Sequence, residues 1–267
     1  MSVLFVYMGY ITGNIENPSL KCYIKIMINK LTIVLLAVIW LNPANLGAQS
    51  LPEWMIPLRE AIYEQKLTAN EVVPLYNAAK TDARQNLSGT ALNLALCRCE
   101  YFMGRALLFE DRNAEAKTHF SDGLRIAENL VQTAPSAEAW VMRAENLSYL
   151  CQIGPWTFTA ANGLSIEEYA KAALRYNSRN AAAQYLIAAR WVYAPAPFHN
   201  HRKGIDMMSA IIENGDMDKD DFFNVYSAIG YAYIQQKKHA DARTWLQKSI
   251  EIYPTNKYVN GLIKNLK

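Results

Sequence analysis

The sequence predicts an all-α fold, a superhelix of about four to five helical hairpins with inserted loops. Two observations support this prediction. After Ala48, apolar residues recur with a helical period of about 3.6 residues, and strand-like alternation is scarce. In addition, one spacing of small and aromatic residues returns at intervals of roughly 40 residues. Self-similarity at a fixed interval indicates a solenoid, in which each unit packs on its neighbours.

Residues 1–48 read as an N-terminal extension followed by a secretory signal peptide. From Met27 the chain has a cation at Lys30, an apolar run over residues 31–41, and small or polar residues up to Ala48. The run is shorter than the ~20 residues that span a bilayer, so export is favoured over anchoring. Met27 is the expected true start, the alternative being a long n-region before the apolar run. We expect a periplasmic or secreted protein, with no stable membrane anchor if the signal is cleaved.

Charge and cysteine content narrow the function classes. Without residues 1–48 the chain has 24 Lys and Arg against 23 Asp and Glu, so its charge gives no reason to expect nucleic acid as a partner. Three cysteines remain: Cys97, Cys99 and Cys151. An odd number argues against a disulfide framework. Buried thiols are favoured, with a bridge from Cys151 to one of the other two as the alternative.

Residues 49–90 are predicted to form two helices that serve as an N-terminal cap or as a degenerate first repeat. Their sequences are "LPEWMIPLREAIYEQK" and "TANEVVPLYNAAKTDARQ". Thr68 followed three residues later by Glu71 is the pattern of a capping box, in which each side chain bonds to the other's backbone N–H. This pattern places the start of the second helix at Thr68.

The clearest repeat lies near the C-terminus, in "VYSAIGYAYIQQKKHADARTWLQKSIEIYPTN". Eight positions have the residue types and spacing of a two-helix unit: Tyr226, Ile229, Gly230, Tyr233, Ala242, Leu246, Ser249 and Pro254. Gly230 and Ala242 are small, as two closely crossing helices require, and Pro254 stops the second helix because it lacks an N–H. The stretch resembles a tetratricopeptide repeat. The resemblance implies a tetratricopeptide-like superhelix over residues 91–256.

Further copies support this range. Gly104, Ala116, Phe120 and Gly123 reproduce the spacing of the C-terminal copy, and weaker first helices begin near Trp140 and Tyr185. Their partner helices are predicted at residues 166–177 and 203–213. Residues 257–267 read as an amphipathic helix that caps the last repeat, as solenoid ends require.

The resemblance also implies a binding surface. Repeats of this family commonly bind peptides or proteins in a concave groove lined by their first helices. Carrying the groove positions over by register gives Arg98, Tyr101, Arg105, Phe109, Glu145, Tyr149, Leu186, Arg190, Tyr193, Asn224, Tyr231 and Gln235. Arginines beside tyrosines could bind a carboxylate while the rings supply apolar area. The alternative is that several of these side chains only pack against the inserted loops.

Two inserted segments are candidates for a second site. In "CQIGPWTFTAANGLS" and "YAPAPFHNHRKGI", a loop pocket could be closed by Trp156, Phe158 and Phe198 beside His199 and His201. Phe198 is expected to point inward. Two histidines fall short of the three or four ligands of a zinc site, so we predict a shaped interhelical corner and no metal. His119 is expected to face solvent.

The predicted function is a scaffold. Because the sequence contains none of the common catalytic or phosphate-binding motifs, we expect neither an enzyme nor a cofactor. The leading hypothesis is an extracytoplasmic scaffold or adaptor that binds a protein or peptide in its groove. The inserted segments also resemble those of extracytoplasmic bacterial repeat proteins, some of which are accessory components of solute uptake. That resemblance implies the alternative, a periplasmic accessory protein that binds a small molecule.

Overall fold

The computed structural model describes residues 51–266. The predicted signal peptide and the residues before it lie outside this range. The described residues form a 3₁₀ turn at Glu53–Met55 and eleven α-helices. These are α1 (Ile56–Glu64), α2 (Ala69–Asn86), α3 (Gly89–Leu108), α4 (Asn113–Thr133), α5 (Ala137–Ile153), α6 (Trp156–Tyr176), α7 (Ala181–Tyr193), α8 (His201–Asn214), α9 (Lys219–Gln235), α10 (His239–Ile252) and α11 (Lys257–Lys264).

The helices pair as antiparallel hairpins: α3 with α4, α5 with α6, α7 with α8, and α9 with α10. Each second helix also packs on the first helix of the next pair. The first helices touch one another in order, from α1 to α3, α5, α7 and α9. They form an inner row, and the second helices form an outer row. The all-α solenoid of helical hairpins is therefore confirmed.

Three of the four hairpins have a glycine where their two helices cross. A Cβ added at Gly104 in α3 would lie 2.7 Å from the ring of Phe120, and one at Gly230 in α9 would lie 2.6 Å from Leu246. In the third hairpin the glycine is on the second helix, where a Cβ at Gly204 would lie 2.7 Å from Val192. Glycine at these points allows the helix axes to approach closely, which explains the small residues that the sequence repeats.

The helix starts include the predicted capping box at Thr68 and a second one at Asp218. The Thr68 side chain accepts from the N–H of Glu71 at 3.3 Å, and Glu71 accepts in return from the N–H of Thr68 at 2.8 Å. Asp218 forms the same reciprocal pair with Asp221 at the start of α9. Both caps satisfy N–H groups that a helix end leaves without partners.

The prediction for the first inserted segment is wrong in part, because "CQIGPWTFTAANGLS" is mostly helix. α6 begins at Trp156 and not at residue 166. The polar residues that resembled a loop bond back to helical carbonyls instead: Thr159 Oγ1 donates to Cys151 O at 2.7 Å, and Asn162 Nδ2 donates to Phe158 O at 2.9 Å. Pro155 lies just before the helix, where its missing N–H costs no bond.

The three cysteines of the described range are buried free thiols, as the favoured interpretation predicted. Cys97 and Cys99 have no exposed surface, and Cys151 retains 8%. The alternative bridge to Cys151 is absent from the structure.

The N-terminal helix α1 does more than cover the first repeat, because it also packs on the last one. Tyr63 stacks on Tyr253 with ring centroids 4.9 Å apart and meets Phe223 edge-on at 5.6 Å. Asn256 Nδ2 donates to the backbone carbonyl of Tyr63 at 2.8 Å. Lys219 pairs with Glu60 at 3.1 Å. One apolar cluster therefore contains residues from helices α1 through α4 and from helices α9 through α11. Through this cluster the solenoid closes on itself.

A buried carboxylate ties the first three long helices together. Glu100 in α3 accepts from Tyr76 and Lys80 of α2, at 2.8 and 2.7 Å, and lies 2.7 Å from Nδ1 of His119 in α4. Burial opposes ionisation of Glu100, but these hydrogen bonds outweigh it and lower its pKa to about 2. The expectation that His119 faces solvent is wrong, since its ring is turned toward this carboxylate.

Gly230→Ala tests the helix crossing. The new Cβ would overlap Leu246, so we expect a loss of about 1–3 kcal/mol in the free energy of unfolding. Gly261→Ala is the matched control, because a Cβ there meets nothing within 4 Å and alanine favours helix by up to ~1 kcal/mol. Thermal unfolding followed by circular dichroism would compare them. Equal melting temperatures for the two variants would contradict the close-crossing argument.

Glu100→Gln tests the buried carboxylate. Because the pKa of Glu100 is lowered on folding, its contribution is present above about pH 4.5 and is lost as the pH falls toward 2. We expect the variant to lose about 3 kcal/mol at pH 7 but only about 1 kcal/mol at pH 3. Urea unfolding at the two pH values measures this difference. A loss that does not change with pH would show that the charge of Glu100 adds nothing.

Candidate functional site: the inner surface

Arg105 lies at the centre of the inner row of helices. Its side chain is 6% exposed. The guanidinium carbon lies over the rings of Tyr63, Tyr101 and Phe109, at 4.5, 5.4 and 5.9 Å from their centroids. Nη1 donates to the Tyr101 hydroxyl at 3.4 Å. The aromatic faces stabilise the buried cation.

The cover over Arg105 corrects the expectation of an open groove at this point. Tyr63 belongs to α1, which occupies the space between α3 and α9. Asn224, another predicted groove residue, donates to the Tyr63 hydroxyl at 3.3 Å and helps to hold it there. A partner cannot reach Arg105 while α1 is in place.

Next to Arg105 the inner surface holds charges that are not paired directly. Tyr101 donates to the Glu145 carboxylate at 3.5 Å. Burial raises the pKa of Glu145 to about 7, and the positive charges of Arg105 and Arg98 partly oppose that rise. Burial lowers the pKa of Arg98. Within residues 51–266 neither Arg98 nor Glu145 has an ion-pair partner within 4.0 Å.

A group of tyrosines continues the inner surface toward α7 and α9. Tyr193 and Tyr231 lie with ring centroids 5.1 Å apart, and the hydroxyl of Tyr185 approaches that of Tyr193. We call Tyr185, Tyr193 and Tyr231 the tyrosine patch. Tyr193 is 42% exposed, although protein surrounds it closely enough for burial to raise its pKa well above the ordinary value. A ring that is open to water yet flanked by protein lies on the wall of a concave surface.

The other predicted groove residues are dispersed. Tyr149 stacks on Phe120 at 4.8 Å and meets Tyr101 at 5.7 Å. Arg190 pairs with Glu167 of the outer helix α6 at 2.6 Å and does not join the tyrosine patch. Leu186 is buried and Gln235 is exposed.

The structure does not form the predicted loop pocket. Trp156 and Phe198 are 79% and 65% exposed, so they close nothing, and the inward orientation expected for Phe198 is wrong. Phe158 packs instead against the apolar cluster that contains α1. Pro195 and Pro197 prevent α7 from continuing, which leaves Phe198 outside both helices.

His199 and His201 stack on each other with ring centroids 4.3 Å apart. His201 lies in the first turn of α8, and its pKa is lowered by burial and by the neighbouring His199. In the described part of the chain no three His, Cys, Asp or Glu side chains come together in a way that could hold a metal ion.

Two important residues of the inner surface were missed by sequence reasoning. Tyr63 lies outside the repeats, so repeat register could not place it against Arg105. Tyr185 occupies a repeat signature position, and that position indicated packing within its hairpin. Its spacing of eight residues from Tyr193, about two helical turns, was the available signal.

None of the helices within residues 51–266 combines the length and the apolar character needed to cross a bilayer.

Comparison with known proteins agrees with this architecture. Residues 223–256 match the sequence profile of the tetratricopeptide repeat. A thermophilic TPR protein of Thermus thermophilus superposes with a TM-score of 0.52 at 16% identity, covering 80% of this chain and 98% of that one. At this identity the likeness shows the fold alone.

A second solved structure, YrrB, is described as a TPR protein with an unusual peptide-binding site. It is 14% identical to this chain and covers 86% of it and 97% of its own length. Its TM-score of 0.34 is too low for positions in the two chains to be compared. No curated protein sequence matches the chain.

Proposed function

We propose that this chain, which has a tetratricopeptide-like fold and matches one such repeat at residues 223–256, is an extracytoplasmic scaffold that binds a protein or peptide partner on its inner surface. The fold supports the coarser part of this proposal, since proteins built from this repeat are generally non-enzymatic interaction scaffolds. The location rests on the signal-like segment that begins at Met27.

The exposure of Tyr193 is the observation that carries the proposal. Tyr193 is 42% exposed and is grouped with Tyr185 and Tyr231 on the concave wall, and partly exposed tyrosines grouped in this way are typical of a surface that another protein covers. Tyrosine supplies a large apolar face and a hydroxyl at small entropic cost, and it is enriched where proteins bind one another. With Tyr231 beside it, the tyrosine patch is suited to an apolar or aromatic side chain of an extended segment.

The same geometry changes which residues recognise the partner. The arginines had been predicted to bind a carboxylate of the peptide. Arg105 is covered by Tyr63, and Arg190 is already paired with Glu167. The proposed contact therefore depends on apolar area from tyrosines, with Arg98 and Glu145 as the charges still open to a partner.

A peptide library displayed on phage would test the proposal. Peptides selected on the protein should bind about tenfold or more weakly to a Tyr193→Ala, Tyr231→Ala double variant, because buried aromatic anchors dominate such interfaces. Phe198→Ala is the matched control, as it removes an exposed ring outside the inner surface. Fluorescence anisotropy gives the affinities. Selected peptides that bind the double variant as well as the parent would contradict the proposed site.

A reporter fusion would test the location. Alkaline phosphatase becomes active when its disulfides form in an oxidising compartment. Fused after residue 50, it should be active with residues 27–50 alone and inactive when Leu35→Arg and Leu36→Arg interrupt the apolar run. Equal activity of the two fusions, or activity only when residues 1–26 are present, would refute the assignment of Met27 as the start of an export signal.

A further inference from the structure

A pocket of about 340 Å³ lies where the two ends of the described chain meet. It is bounded by the end of α1 and the turn into α2, by the end of α3, and by the start of α11. The lining residues with large apolar side chains are Ile62, Leu67, Val72, Phe109 and Tyr258, and the small apolar ones are Ala61 and Ala106. We call it the junction pocket, because no single hairpin could form it.

Three of its lining side chains are unusually exposed for their type. Leu67, Phe109 and Tyr258 are 39%, 45% and 46% exposed. They come from three separate segments of the chain and converge on one cavity. Exposed apolar side chains that are scattered singly need no explanation, whereas convergence on a concave site is typical of ligand binding.

Some polar groups of the junction pocket already make hydrogen bonds within the protein, and others do not. Gln65 Oε1 accepts from the backbone N–H groups of Lys257 and Tyr258, at 2.8 and 3.3 Å. Glu110 Oε1 accepts from the N–H of Ala69 at 2.9 Å. Within residues 51–266 neither the Lys257 ammonium nor the Tyr258 hydroxyl makes a hydrogen bond or an ion pair, although Tyr258 lies near enough to Tyr231 to interact with it electrostatically. Both free groups can donate a hydrogen bond, and one carries a positive charge.

We propose that the junction pocket binds a small amphipathic carboxylate. Its hydrocarbon body lies against Leu67, Phe109 and Val72, and its carboxylate accepts from Lys257 and Tyr258. An ammonium–carboxylate hydrogen bond is among the stronger polar contacts. The cavity volume lies at the lower end of the roughly 300–1,000 Å³ range of small-molecule sites, so the ligand is short, with one ring or a short alkyl chain.

The ligand would touch the first and the last elements of the described chain at once. Bound there, it adds contacts between α1, α3 and α11 and so stabilises the closure of the solenoid. The proposal does not rest on the proposed partner surface, although Tyr258 also lies near Tyr185, Tyr193 and Tyr231 of the tyrosine patch. The Phe109→Ala and Lys257→Gln variants below leave that patch intact, so either proposal can fail while the other stands.

The test is calorimetric titration of the full chain with 3-phenylpropanoate, octanoate, 3-phenylpropan-1-ol and 3-phenylpropylamine. We expect saturable 1:1 binding of at least one carboxylate, about tenfold weaker binding of the alcohol, and weaker binding still of the amine. A bound carboxylate should also raise the melting temperature, because it binds the folded state alone.

Two variants locate the site. Phe109→Ala should weaken carboxylate binding about tenfold by removing apolar area, and Lys257→Gln about fivefold by removing the charge while keeping the backbone N–H that caps α11. Phe198→Ala should leave the affinity unchanged. No binding of either carboxylate, equal affinity for the amine, or full affinity in Phe109→Ala would each overturn the proposal.

Discussion

The docking of Tyr63 between the two ends of the described chain is the contact on which the rest of the structure depends. Its ring stacks on Tyr253 and meets Phe223, while its other face covers the guanidinium of Arg105. One side chain from a short helix therefore links α3 to the last hairpin. The buried cation gains an aromatic cover, and the inner surface loses its central opening.

This closure explains why the buried charges of the inner row lie near α1, whereas tyrosines line the surface beyond it. Where α1 is present, the cation of Arg105 is covered by the ring of Tyr63, and burial raises the pKa of the neighbouring Glu145 to about 7. Beyond α1 the wall is tyrosine, and one ring remains open to water. A partner therefore meets an aromatic surface next to a partly enclosed ionic one, and not the line of arginines that the repeat register had indicated.

The repeat could be predicted from the sequence, but the packing of α1 on the last hairpin could not. Gly104 and Gly230 could be recognised because helix crossing imposes small residues at a fixed spacing, and the capping box at Thr68 because it is local. The start of α6 was misjudged because Pro155, Gly163 and Asn162 look like loop residues, although the asparagine bonds back to its own helix. The contact of Tyr63 with Tyr253 joins distant segments by shape alone. A contact between distant segments leaves no periodic pattern in the sequence. The sequence therefore identified Arg105 as an inner-surface residue but did not show that Tyr63 covers it.

An open solenoid is a one-dimensional object, whose stability is a sum of units and of the interfaces between neighbours, and whose ends can fray independently. In this chain, hydrogen bonds join Asn256 to α1 and Lys257 to the turn that follows α1. They hold the last hairpin against the first helices. The first and last described units of the chain are also neighbours, so each one packs against the other. The number of repeats is then fixed by geometry, because inserting or removing one hairpin would carry Asn256 away from Tyr63.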